Sequence, residues 1–368
     1  MKSFSVRAGD KKRCGAQYQD CWLKYERESK RGPTVHAEGP EVMWTSGSFF
    51  KAAEYDTSHP TGKKYHVMIT SSLSIYQQWQ ARIFYYHYKK QKALHPDSDI
   101  GGFTRLLHSK VDDVLSEEMH TVRVDPLDND GGYVVLSRPY AFNNFIAGGH
   151  LDKIEEEYIL MAEPDHIFLR PLPNFVTEGY HGIGFPFFYI APDLEMNKPF
   201  VRRVLNRTLT DDELASIDGT GNSPVIIKKD DFKRIAPRWH DLAMEIFKDK
   251  ELKAAWGWVL EMWAYTLASH DIGVRHIMYP KFMCQPPWDT SDTGFAILHY
   301  TYGVDTDLKG NRILNGTLGQ WRFDKRSYYN GSPSRDLPRP PDGAPELIKT
   351  LIEKVNEASA NTPTWGQH

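Results

Sequence analysis

The stretch Tyr158-Ile159-Leu160-Met161-Ala162-Glu163-Pro164-Asp165-His166-Ile167-Phe168 constrains this chain more than any other. An apolar run too short for a helix ends in two carboxylates and an imidazole, and an apolar pair follows at once. That pattern predicts a buried strand carrying acids at its tip. Pro164 removes a backbone donor and fixes φ, so the strand stops there and the acids sit in a rigid turn. Glu163 and Asp165, two residues apart in extended chain, project to the same side. Two hard oxygen donors so placed suit Mg²⁺ or Mn²⁺ bridging a diphosphate. A surface turn is the competing account, because Asp and Pro are ordinary turn formers.

The whole chain narrows the field. Its 368 residues, net charge of -3 and 40% hydrophobic content describe one large or two modest domains with ample core. Balanced charge leaves no field to recruit nucleic acid or an anionic membrane. Aromatics reach 13%, a supply of flat contact area for carbohydrate or extended peptide, or for packing. Cys14, Cys21 and Cys284 leave at least one thiol unpaired and match no zinc spacing. The triplets beginning at Asn206, Asn315 and Asn330 fit the N-glycosylation pattern and permit a secretory lumen. The first residues contain no apolar segment long enough for a signal peptide or membrane span, so the chain is either cytosolic or lacks an anchor here.

Residues 1–64 read as a polar arm or stem, clipped by a Cys14 to Cys21 bridge. Strands alternate with helices from residue 65 up to Ala162, which predicts a largely parallel α/β sheet in a main domain of residues 65–332. Tyr65 to Thr70 is a strand, Ser74 with Gln77 forms a capping box, and a helix runs to about Gln91. Ligands sit beyond the carboxyl ends of such strands, so Thr70 and Ser71 are candidates for the nucleotide. Arg105, inside the apolar strand that follows Gly101-Gly102, needs either a buried carboxylate or a phosphate. Gly184 to Tyr189 reads as an edge strand, given its proline. Asp193 to Asp218 reads as a lid or insertion. Gly219 to Pro224 reads as a glycine-rich turn that lets substrate approach, with Asn222 as a candidate catalytic residue.

Glu261 is the single acid in the apolar, helical segment Trp256 to Tyr265. It faces a reacting sugar or pairs with an arginine such as Arg275. Trp258, Trp288 and Asp289 are candidates for the sugar or acceptor wall. His299 ends a late apolar strand and is the candidate third metal ligand. Arg322, Lys325 and Arg326 then bring cations suited to a departing diphosphate, or form a solvated face. Residues 333–368 are a proline-rich tie and a final amphipathic helix packed on the main domain.

Together these segments resemble a known family. His66 to Ser71, Gln78-Trp79-Gln80, Gly101 to Arg105, Met161 to Phe168, Gly221 to Val225, Gly257 to Met262, Gln285 to Asp289, His299 to Gly303 and Trp321 to Arg326 follow in the order found in plant and algal peptidyl hydroxyproline O-arabinosyltransferases. The resemblance runs from about residue 65 to the end. It implies a Golgi-lumenal, type II membrane glycosyltransferase of GT-A type, with a Rossmann-like, mostly parallel twisted sheet flanked by helices. It further implies UDP-β-L-arabinofuranose as donor, Mn²⁺ or Mg²⁺, retention of configuration, and hydroxyproline in secreted, cell-wall or extensin-like proteins as acceptor. Carried over by position, Glu163, Asp165 and His299 hold the metal. The chain departs from the family in having Glu-Pro-Asp rather than Asp-x-Asp, in its first 64 residues, and in lacking the membrane anchor. Attack from the leaving-group face and a double displacement through Glu261 both fit. Related peptidyl serine galactosyltransferases, a non-catalytic carbohydrate-binding protein and a metal-dependent hydrolase are the alternatives.

Overall fold

The computed structural model describes residues 60–128 and 130–368. The expected arm lies outside them apart from residues 60–64, as do the Cys14 to Cys21 pairing and Asn129. In chain order, the first elements are β1 (Tyr65–Ser71), α1 (Ile75–Leu94), β2 (Ile100–His108), β3 (Thr121–Val124), α2 (Ser137–Ala147), β4 (Tyr158–Ala162) and β5 (His166–Phe168). β6 (Gly182–Pro186), α3 (Lys198–Leu205), α4 (Asp211–Ser216), β7 (Thr220–Lys228), α5 (Lys229–Lys248), α6 (Lys250–Trp256) and α7 (Leu260–Asp271) follow. The chain ends with β8 (His276–Met278), β9 (Met283–Cys284), β10 (Ile297–His299), β11 (Val304–Thr306), β12 (Trp321–Phe323) and α8 (Glu346–Ala360).

Seven strands form the central sheet in the order β3-β2-β1-β4-β7-β6-β8. β1 pairs in parallel with β2 and β4, β2 with β3, and β6 with β8; β7 alone runs against its neighbours. β1 and β4 are buried along their whole length, which is why they read as continuous apolar runs rather than alternating ones. α5 supports the sheet with Phe232, Ile235, Ala236, Trp239, Leu242, Ala243 and Ile246, the spacing of one helical face. A second sheet, β5-β10-β9, continues from the tip of β4. α8 buries Leu347, Ile348, Leu351 and Ile352 in one cluster with Trp79 and Ile83 of α1.

Several local expectations give way. Of the expected turn Gly219 to Pro224, all but Gly219 is strand, because β7 begins at Thr220. Asp193 to Asp218 holds two short helices, α3 and α4, the second opened by a Thr210–Glu213 capping box. β6 lies inside the sheet between β7 and β8, with Pro186 as its last residue, where the pairing slips. The Trp256 to Tyr265 segment breaks at Gly257, whose φ of 49° ends α6 before α7 begins. At α1, Ser74 caps Gln77 as expected, but the Gln77 side chain turns to the Ser72 N–H. No helix among the described residues is long and apolar enough to cross a membrane.

Candidate active site

β4 delivers its acids beyond the last strand residue, Ala162, and the Pro164-Asp165 turn sends the chain into β5. β10 runs antiparallel to β5 with His299 opposite His166, and this register brings a residue 134 positions away to the turn. His299 Nε2 lies 3.1 Å from Asp165 Oδ2 and 3.4 Å from Glu163 Oε2. Both carboxylates therefore meet one imidazole nitrogen. His166 stands edge-on to His299 with ring centroids 4.5 Å apart. One donor atom from each of Glu163, Asp165, His166 and His299 falls within 4.8 Å of the others. That set fits a divalent cation, because carboxylate oxygen and neutral imidazole are its usual protein ligands. Burial, reinforced by His299, holds His166 well below the ordinary imidazole range and therefore neutral. Burial alone would raise the Asp165 carboxyl, but Lys325 and His299 outweigh it and keep the group ionised. Lys325 Nζ is bonded directly to Asp165 Oδ2.

A second pair of contacts stands beside this cluster. Arg138 of α2 donates from Nη2 to Glu163 Oε1 at 2.7 Å and from Nη1 to Glu261 Oε1 at 2.6 Å. Burial would lower the guanidinium pKa, yet the two carboxylates raise it, so Arg138 is a fixed cation. Glu261, 2% exposed in the first turn of α7, also accepts from the Met262 N–H at 2.8 Å. Burial pushes its carboxyl up to about 7 against the pull of Arg138. Arg275, the example offered of an arginine partner for Glu261, pairs with Asp218 instead. The sequence alone did not single out Arg138.

Buried polar atoms without partners gather at this end of the sheet. Ser71 Oγ, Arg138 Nε, His166 Nε2, His299 Nδ1, Tyr300 Oη and both amide atoms of Asn222 have none. Each such atom costs about 1–3 kcal/mol in a closed interior, so their concentration marks a place built to meet a ligand. Thr70 and Ser71 end β1, just past Ile69, which pairs with Ala162, the last residue of β4. Asn222 lies near the start of β7, fully buried.

Other candidates fall elsewhere. Arg105, 0% exposed, gives both terminal nitrogens to Asp113, so the buried carboxylate, and not a phosphate, answers its charge. Of the late cations only Lys325 reaches the acids. Arg322 and Arg326 are both held by Asp324, at 2.8 and 3.1 Å, because that acid lies between them in sequence. Asp289 accepts from the Gln285 N–H, and Trp288 packs edge-on against Tyr302. Trp258 stands out to solvent just before α7.

Comparison with known proteins accords with this geometry. The hydroxyproline O-arabinosyltransferase N-terminal domain profile matches residues 65–278, and the C-terminal domain profile of the same family matches residues 296–366. Hydroxyproline O-arabinosyltransferase RDN2 of Medicago truncatula is 51% identical over 303 residues, covering 82% of this chain and 81% of its own. Hydroxyproline O-arabinosyltransferase 3 of Arabidopsis thaliana is 48% identical over 303 residues, covering 82% of each. The peptidyl serine alpha-galactosyltransferase of Arabidopsis thaliana is 21% identical over 303 residues and matches along only 33% of its length. Among solved structures, the galactosyltransferase LgtC with donor and acceptor sugar analogs covers 82% of this chain and 98% of its own. Its TM-score is 0.39 at 11% identity, a level at which neither fold nor activity transfers. The two profiles and the high identity along most of both chains place this chain in the hydroxyproline O-arabinosyltransferase family, a family of glycosyltransferases.

Proposed function

We propose that the protein moves L-arabinofuranose from UDP-β-L-arabinofuranose to the hydroxyl of a peptidyl hydroxyproline, with retention of configuration, on a GT-A-type sheet. The observation that carries this reading is the convergence of Glu163, Asp165 and His299 at the carboxyl edge of the sheet, in a chain of this family. Those three residues would hold Mn²⁺ or Mg²⁺, which would offset charge on the departing diphosphate. Lys325 adds a protein cation at the same point. Thr70 and Ser71 are assigned to the nucleotide, and Asn222 to the sugar.

In the step proposed, the acceptor oxygen bonds to the anomeric carbon as the bond from that carbon to the diphosphate oxygen breaks. The hydroxyl proton passes to the diphosphate oxygen, and UDP leaves. Support for this route over a double displacement comes from Glu261, whose two oxygens are taken up by Arg138 and the Met262 N–H. In this reading Glu261 orients sugar hydroxyls and answers positive charge at the anomeric carbon. The Golgi lumen is the proposed setting, on the strength of the family and the three glycosylation triplets.

The test is UDP release from UDP-arabinofuranose, UDP-galactose and UDP-glucose, with Mn²⁺ or chelator, with and without a hydroxyproline peptide. Release that needs arabinofuranose, metal and peptide together is the expected result. Peptide-independent release would replace transfer with hydrolysis, and a preference for UDP-galactose would replace the donor.

A further inference from the structure

We propose that the ring pair of half-buried Tyr133 and exposed Trp258 is the acceptor platform, and that it selects peptides whose proline-type rings are held in a polyproline II helix. This rests on the reading above that the acceptor is a hydroxyproline peptide. Trp258 is 48% exposed and Val134, the residue after Tyr133, is 57% exposed, apolar surface on two separate segments. Each segment runs straight into the site. Tyr133 precedes Arg138 by five residues and Trp258 precedes Glu261 by three, so the 2.6 Å Arg138–Glu261 contact ties their bases together.

Tyr133 is braced by its neighbours. Gly131 and Gly132 take φ of 59° and 83°, and the Gly132 N–H donates to Asp130 Oδ1 at 2.8 Å, which sets the turn that presents Tyr133. Gly257 plays the corresponding part for Trp258. Phe247 packs 5.4 Å from Tyr133, and Lys253 Nζ sits 4.4 Å over Tyr133 and 3.9 Å over Phe247. Such support lowers the ordering cost of binding.

The chemistry of the pair fits one kind of chain. The centroids of Tyr133 and Trp258 are 6.1 Å apart with planes at 35°. A polyproline II helix has three residues per turn and advances about 3.1 Å per residue, so a ring pair this close falls within one turn and takes adjoining proline-type rings. It has no internal hydrogen bonds, and its ring faces dock in aromatic-lined grooves without further ordering.

The experiment compares two peptides of equal length, each with one acceptor hydroxyproline, flanked in one by prolines and in the other by Gly and Ser. The unaltered chain shows a KM about tenfold lower for the proline-flanked peptide, the size of an aromatic ring contact or two. Trp258→Ala removes that difference, leaves the KM for the UDP-sugar unchanged, and Trp258→Tyr restores most of it. Tyr133→Leu acts in the same direction. The platform is overturned if Trp258→Ala leaves the difference intact, raises both peptide KM values equally, or shifts the donor KM instead. Transfer to neither peptide by the unaltered chain overturns the arabinosyl-acceptor reading itself and the platform with it.

Discussion

Two acid–imidazole clusters stand at opposite ends of the same sheet, and they differ in what is left over. At the amino ends of β1 and β2, Glu156 Oε2 lies 3.1 Å from His66 Nδ1, His66 Nε2 lies 2.8 Å from Thr104 Oγ1, and Thr104 lies 3.1 Å from His120 Nδ1. The Gly102 N–H takes the other Glu156 oxygen. Gly101 and Gly102 are required there, since a Cβ on either would meet the Glu156 carboxylate or the His66 ring. A cavity of about 380 Å³ opens beside these side chains, lined also by His150 and Lys153. Yet no polar atom of His66, Thr104 or Glu156 lacks a partner. At the carboxyl ends, Glu163, Asp165, His166 and His299 leave imidazole nitrogens unpaired and crowd two cations against two acids. A satisfied network ties strands together, whereas an unsatisfied one at the carboxyl edge is built for something that arrives later. Residue type does not separate the two; the leftover atoms do.

Substitutions on either side sharpen that contrast, and the largest effects belong to the carboxyl end. Asp165→Asn lowers kcat by about 10²–10³-fold in protein that remains folded, read from initial rates and circular dichroism. Arg138→Lys lowers kcat by about 10²-fold, because an ammonium cannot hold Glu163 and Glu261 in the planar fork that a guanidinium offers. Glu156→Ala reverses the pattern: chemical denaturation shows a loss of about 2–3 kcal/mol, and kcat of the folded protein is unchanged.

The same carboxylate gives an acid signature. The His66 hydrogen bond is the main cause that keeps Glu156 down at about 2, against an ordinary value of 4.5. As pH falls the unfolded chain takes its proton first, so this stabilisation is full above about 4.5 and drains away toward 2. After solvent screening it amounts to roughly 1–2 kcal/mol, and Glu156→Gln flattens that part of the stability curve. Thr104→Val is the mildest, costing about 1 kcal/mol with no change in rate.

Much of this layout was legible in the chain. Wholly buried β1 and β4 announce themselves as apolar runs, and a strand tip that ends in Glu163-Pro164-Asp165 has few uses. His299 was legible because it repeats that grammar. Arg138 was not, because its partner Glu261 lies 123 residues away and nothing local marks the pairing. For Arg105 the need for an anion was read correctly, but not that Asp113, eight residues on, supplies it. Counting Arg322, Lys325 and Arg326 as one cluster overlooked the Asp324 between them. β7 hid behind turn-like composition, and its reason is tertiary: a Cβ on Gly221 would stand 3.3 Å from Met262 Cβ and Cγ and displace the end of that side chain, so close packing against α7 favours glycine in a strand.

The most direct test of the contrast between the two ends is Mn²⁺ binding in the presence of UDP, followed by the electron paramagnetic resonance signal of free Mn²⁺. The account predicts one Mn²⁺ per chain, lost in Asp165→Asn and kept in Glu156→Gln. Binding that survives Asp165→Asn, or that disappears with Glu156→Gln in folded protein, would contradict it.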